Sequence, residues 1–197
     1  MTVPGERRTQ ILQALAAMLE APEAEKITTA ALAARLQCSE AALYRHFASK
    51  ARMYEGLIEF IESTLFSLIT RIGTEEPQGL TQARSIVQLL LGFSERNRGM
   101  TRVLTGEALV HENERLMARM NQMFDRLEAT LKQALRIAAS QGSLPANLDS
   151  AAAANLLMAW VLGRWQQFTR SGFRQSPLTA WDAQWQIIGR GLIQPTA

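Results

Sequence analysis

An all-α fold is what the sequence predicts, and three features predict it. Apolar residues recur at steps of three and four from about residue 6 to the C-terminal end, and no stretch keeps the period-two alternation of a strand. Between Thr28 and Lys50 the run TTAALAARLQCSEAALYRHFASK carries two helix starts a few residues apart. Apolar residues make up 47% and charged residues 20%, enough for a core and too little charge for wholesale disorder.

Residues 1–5 are expected to lack structure. Glu6 to about Glu20 then forms an amphipathic helix with Ile11, Leu12, Leu15, Met18 and Leu19 on one side. Ala21 to Lys26 reads as a loop, and Ile27 is placed to staple the helix that Thr28 caps. Thr28 opens Ala30 to Ala34, and Ser39 opens Glu40 to Tyr44, with only Leu36, Gln37 and Cys38 between. Ser49 is positioned to cap a third helix. Neither short helix is stable alone, so Leu32, Leu36, Leu43 and Phe47 must hold the pair together. A two-turn helix opening with Ser-Glu and presenting Tyr44, Arg45 and His46 has the size of a DNA major groove. The stretch is a helix-turn-helix.

From Ser49 a long helix is expected to about Ile72, with Leu57, Ile61, Leu65, Leu68 and Ile72 on its core line and Gly73 ending it. Phe60 lies on the rim of that line, in register with Ser67 and Arg71, and Phe66 lies opposite it. Residues 75–79 are a turn. Thr81 to about Arg96 is the next helix, with Ile86, Val87, Leu90 and Phe93 inward. A neighbouring line of Ser85, Leu89, Gly92 and Arg96 mixes an apolar group, a missing side chain and a charge. Two readings are open for it: a helix buried nearly all round, or a shallow groove for a partner. Asn97 to Gly99 and Gly106 interrupt the pattern, and a long helix is expected over about Glu107 to Ser140, buried through Leu116, Met120, Met123, Leu127, Leu131 and Leu135. After a linker at 141–145, Asp149 caps a helix to about Ser171, and the last helix is expected to start at Pro177. All four tryptophans lie in this final pair. Large rings dominate association energies, so Trp160, Phe168, Trp181 and Trp185 are the expected dimer contact.

Net charge is +3, and residues 1–56 carry seven Lys/Arg against six Asp/Glu, so the reading head is not a basic block. Few phosphate contacts per subunit follow, and useful affinity needs two subunits on one site, with heads about 34 Å apart on a roughly palindromic target. One cysteine excludes an internal disulfide, no signal peptide precedes the first helix, and the longest apolar run, residues 151–163, is too short to span a membrane. A cytosolic protein is expected. His111-Glu112 lacks a second His four residues after the first, Cys38 has no His or Cys neighbour, and there is no glycine-rich phosphate loop. Neither enzyme activity, nor a metal, nor a cofactor is expected.

At Thr28-Thr29, Ala33-Ala34, Ser39, Tyr44-Arg45-His46-Phe47 and Ser49-Lys50 the chain resembles the TetR family of bacterial DNA-binding proteins. That resemblance implies a helix-turn-helix head over residues 1–52 and a helical dimerisation and partner-binding body over 53–197, its last two helices forming a four-helix dimer bundle. The family usually has Gly at the place of Gln37, where a left-handed backbone is favoured, and a non-Gly residue there costs on the order of 1 kcal/mol. In the head, Thr28, Thr29, Tyr44 and Lys50 are expected mostly on phosphates of double-stranded DNA, and Ser39, Glu40, Ala41 and His46 nearest the base edges or the backbone around them. A packing role for Tyr44 is the other reading. Similarity to one branch, the nucleoid occlusion factors, extends into the body through residues 53–62, 89–97, 104–106 and 119–128. This implies a homodimer that binds chromosomal sites and, while bound, antagonises polymers of the tubulin-like division protein FtsZ. The FtsZ face implied there maps onto Phe60, Leu89, Gly92, Arg96 and Asn97. A ligand-responsive transcriptional repressor is the alternative.

Overall fold

The computed structural model describes residues 4–21, 27–109 and 114–193, and every regular element among them is a helix. The order is α1 (Pro4–Leu19), α2 (Thr29–Arg35), α3 (Glu40–Tyr44), α4 (Lys50–Glu75), α5 (Gly79–Arg96), α6 (Arg98–Leu104), a 3-10 turn (Glu107–Leu109), α7 (Glu114–Ser140), α8 (Ser150–Arg170) and α9 (Trp181–Ile193). Packing divides the chain into two compact units, Met1–Glu62 with Asn97–Met120, and Ser63–Arg96 with Asn121–Ala197. The expected division at residue 52 followed chain order. By packing, the units are discontinuous, with α6 lying against α1.

In the first unit, Ile11, Leu15, Leu32, Leu43, Phe47, Met53, Leu57, Ile58 and Ile61 are buried, as are Val103, Leu104 and Leu116. Two glycines set how closely its helices approach. A Cβ on Gly99 would lie 1.9 Å from the Ala16 carbonyl oxygen, so α6 meets the backbone of α1 with no side chain between. One on Gly56 would meet the Phe47 ring at 2.9 Å. Buried Glu62 accepts from Arg119 and ties α4 to the start of α7.

In the second unit, α5 packs on α8, and Trp165 is fully buried with its indole N–H donating to the Leu90 carbonyl at 3.2 Å. Gly79 starts α5 against α7, where a Cβ would sit 2.3 Å from the Ala138 nitrogen. Phe66 lies off the α4 core line, as its position on the helix predicts, beneath the Arg126 guanidinium at 4.1 Å. Of that line's expected members, Leu65 is buried, but Leu68 and Ile72 are half-buried and Ile69 takes the inner place.

Several helix ends differ from expectation. α1 begins at Pro4, inside the segment expected to lack structure, while residues 1–3 lie outside the description. Gly73 does not end α4, which runs to Glu75; an exposed glycine keeps helical geometry at a cost too small to stop a 26-residue helix. Asn97 to Gly99 opens a new helix instead of only breaking one. α7 starts at Glu114, and the loop at residues 22–26 and the pair His111-Glu112 fall outside the described residues. α9 begins at Trp181 because Arg164 donates to the carbonyls of Ser176, Pro177 and Thr179, holding residues 176–179 out of helix, and Ala180 turns the chain at φ 58°.

The ends of α7 and α8 share one device. Gly142 and Gly172 are left-handed, and each ending closes with the paired backbone bonds of a Schellman motif. On α8 the accompanying apolar contact is Phe168 against Phe173, with centroids 5.0 Å apart. At the other end of α8, the N–H groups of Ala152 and Ala151 hold the Asp149 carboxyl below its ordinary value. A depressed carboxylate contributes stability above its unfolded pKa and loses it as pH falls through the folded one. Asp149→Asn keeps the cap without the charge. Thermal melts of that variant should flatten in the acid range relative to the natural chain, and an unchanged slope there would refute the assignment.

Candidate nucleic-acid interface

Residues of the motif itself build this site, all of them in the first unit. Thr28 Oγ1 accepts from Ala31 N at 3.1 Å and Ser39 Oγ from Ala42 N at 3.2 Å, so the two expected caps start α2 and α3. Between them Gln37 takes φ 50°, the left-handed conformation expected there. Its N–H bonds to Ala34 O at 3.1 Å and that of Cys38 to Ala33 O at 3.0 Å, another Schellman ending. These bonds hold the turn without glycine. Ser49 Oγ accepts from Arg52 N at 3.2 Å, placing Lys50 at the first turn of α4.

Across the motif, Thr29 Oγ1 donates to Glu40 Oε2 at 2.5 Å, and Tyr44 OH donates to Thr29 Oγ1 at 3.3 Å. Tyr44 is 44% exposed, so it is not a core residue. Ala41 is exposed on the same short helix; His46 is half-buried, and its carbonyl accepts from Arg8 at 3.4 Å. Arg8 also lies 4.3 Å over the Phe47 ring, while Arg7 bonds Gln10 and the Leu36 carbonyl. These N-terminal arginines brace α2 and α3 from behind. Lys50 Nζ stands 5.7 Å from the Tyr54 ring centre. The structure therefore brings Thr28, Thr29, Ser39, Glu40, Ala41 and Tyr44 together at the start of α2 and along α3. The Thr29–Glu40 link is the feature sequence reasoning missed, since nothing in local spacing pairs residues eleven apart.

The chain matches the model described as bacterial regulatory proteins, tetR family, over residues 11–57. It also matches the SlmA-like model described as tetracyclin repressor-like, C-terminal domain, over residues 77–193. It is 52% identical over 187 residues to the nucleoid occlusion factor SlmA of Idiomarina loihiensis, covering 95% of each chain. Identity to the SlmA of Marinomonas sp. is 50% over 189 residues, with 96% of each covered. The chain belongs to the SlmA branch of the TetR family.

Among solved structures, a TetR regulator from Haloarcula marismortui superposes with a TM-score of 0.80 at 14% identity, over 96% of this chain and 100% of that one. The fatty acid degradation regulator FadR from Bacillus halodurans gives 0.79 at 14%, over 93% and 98%. At such identities the likeness is one of fold.

In this SlmA-branch protein the residues expected for a partner face are distributed over two units. On α4 of the first, Phe60 is 40% exposed, and Asn97 occupies the N-cap position of α6 without a side-chain capping bond. In the second, Gly92 is buried, and the exposed Arg96 lies across it, its guanidinium 3.5 Å from where a Cβ would stand; Leu89, one turn earlier, is half-buried. A Cβ there would touch the Arg96 side chain only at ordinary van der Waals distance. Of the two readings of this line, the structure leaves Leu89 partly and Arg96 largely open, so α5 is not buried all round.

Three of the four expected dimer anchors have little surface left outside their own chain. Phe168, Trp181 and Trp185 are 2%, 5% and 9% exposed within one chain. Trp160 is half-buried and stacks at 5.7 Å on Trp181, which lies 5.3 Å from Trp185. Arg84 caps this cluster, 5.7 Å over Trp181 and paired with Asp182 at 2.6 Å. The rings hold α9 onto its own chain. What the last two helices leave open is Leu156 at 60% and Ile187 at 69% exposure, with exposed Ala152, Ala159 and Gly163 on α8 and Ala183 and Gly191 on α9. On α8 these residues, Ala152, Leu156, Ala159 and Gly163, recur at steps of four, three and four.

Proposed function

We propose that the chain is a nucleoid occlusion factor: a homodimer that binds specific chromosomal sites and, while bound, antagonises FtsZ polymers, keeping division off the nucleoid. The observation that carries this reading is identity of about half over nearly the full length to proteins named for that function. A shared fold alone would not discriminate, since the regulators it superposes on are 14% identical. No helix among the described residues is long and apolar enough to cross a membrane, which agrees with a chromosome-associated protein.

DNA is bound by the start of α2 and by α3. Thr28 and Ser39 use their oxygens as caps and keep their hydroxyl protons for phosphate; Ala41 and His46 lie toward the bases, and Lys50 is a phosphate contact. Lys50→Ala should weaken every duplex alike and lower the salt slope of binding by about one charge. An effect confined to particular bases would remove the phosphate role. Dimerisation uses the exposed stripe of α8 and α9. A Cβ on Gly163 or Gly191 would meet nothing within 4 Å in its own chain, so the stripe is open to a partner there.

FtsZ is met by Leu89, Gly92 and Arg96 on α5 and by Phe60 and Asn97 in the first unit. Leu89→Glu places a carboxylate on an apolar contact and Arg96→Asp reverses a charge. Each should abolish action on FtsZ and leave DNA affinity nearly intact. The measurement is FtsZ polymer sedimentation with and without specific duplex, alongside duplex binding by the same variants. Natural protein that leaves the polymers untouched when saturated with its DNA site would end this reading in favour of a ligand-responsive repressor.

A further inference from the structure

The head directs two of its hydroxyl protons inward. Thr29 donates its proton to Glu40 Oε2 at 2.5 Å, and Tyr44 donates its own to Thr29 at 3.3 Å. A hydroxyl has one proton to give, so in this arrangement neither Thr29 nor Tyr44 has one left for a phosphate. The relay ends on a carboxylate, an anion that accepts from a hydroxyl in the same charge-assisted way as a phosphate oxygen. Glu40 is exposed, and the bond it makes costs no burial, so it is open to exchange. Thr28 and Ser39 behave differently: their oxygens accept backbone N–H groups and their protons are not drawn toward Glu40.

We propose that Glu40 is an internal stand-in for a DNA phosphate. Its carboxylate holds the Thr29 proton, and through Thr29 orients Tyr44, until a backbone phosphate takes its place. This inference rests on the DNA-binding reading of the head. It makes Glu40 a positioning residue that restrains affinity for every duplex, specific or not, because the exchange is with phosphate and carries no base information. Base reading by Glu40 would behave otherwise. A carboxylate in the major groove accepts from the cytosine amino group, so its removal would weaken only sequences with cytosine at that place.

The test is a double-mutant cycle on the full-length chain, using one specific and one scrambled duplex at several salt concentrations. Glu40→Ala should tighten both duplexes by about tenfold, the scale of one hydrogen bond to a charged group, and Glu40→Gln by less. In a Thr29→Val background most of that gain should vanish, since no hydroxyl remains to be released. Loss of a negative charge alone would tighten binding equally in both backgrounds, and that outcome overturns the proposal. So does a Glu40→Ala variant that binds no tighter, or that weakens only some sequences. Natural protein that binds no duplex at all refutes the DNA reading itself; natural protein that binds, with Glu40→Ala unchanged, refutes this inference alone.

Discussion

Gly99→Ala should abolish duplex binding by unfolding the packing of α1 on α6. The added methyl would stand 1.9 Å from the Ala16 carbonyl oxygen and 3.2 Å from the Leu19 Cβ, and the nearest obstacle is backbone, which has no rotamer to change. Overpacking a core commonly costs about 1–3 kcal/mol, and a clash with main chain belongs at the upper end. α1 is the helix whose Arg7 and Arg8 brace α2 and α3, so its displacement also loosens the reading motif. The second unit contains neither helix and should keep its own core. Hydrogen exchange should show faster amide exchange in α1 and α6, with Trp165 fluorescence and the exchange of α8 unchanged. Natural melting behaviour and natural DNA affinity in this variant would mean the close approach is not required.

The second large effect is expected from Leu156→Glu combined with Ile187→Glu. Both side chains are mostly exposed in the isolated chain, so the substitutions need not disturb its core. In a dimer each carboxylate would be desolvated against the partner's apolar stripe, and residues at the centre of an interface commonly contribute about 2–4 kcal/mol or more on truncation. The double variant should be monomeric at concentrations where the natural chain is dimeric, and its affinity for a palindromic duplex should fall with it, since each head alone has few phosphate contacts. Analytical ultracentrifugation reads the first effect and duplex titration the second. Trp185→Ala is the contrasting variant: a ring 9% exposed within its own chain should register as lost folding stability. An unchanged dimer in the double variant, with dissociation caused by Trp185→Ala at natural stability, would restore the tryptophans as anchors.

The helical class and the caps at Thr28, Ser39 and Asp149 were legible in the sequence, and the left-handed turn at Gln37 only through the family resemblance. The class and the caps depend on residues within a few positions of one another, and capping and periodicity are local physics. Helix starts set by distant contacts were not legible. α9 starts four residues later than Pro177 because Arg164, on another helix, holds the carbonyls of residues 176–179.

The sequence by itself therefore determined which segments are helical, which side of each is apolar, and that a reading motif stands near the N-terminus. Only the tertiary structure decided where the largest side chains face. A tryptophan at a core-like spacing looks the same whether the surface it meets belongs to its own chain or to a second copy. Helix crossings resolve that ambiguity, and they turned Phe168, Trp181 and Trp185 inward while leaving Leu156 and Ile187 open. They likewise brought the Thr29 hydroxyl to the Glu40 carboxylate, a pairing between two helices that no single-helix pattern encodes.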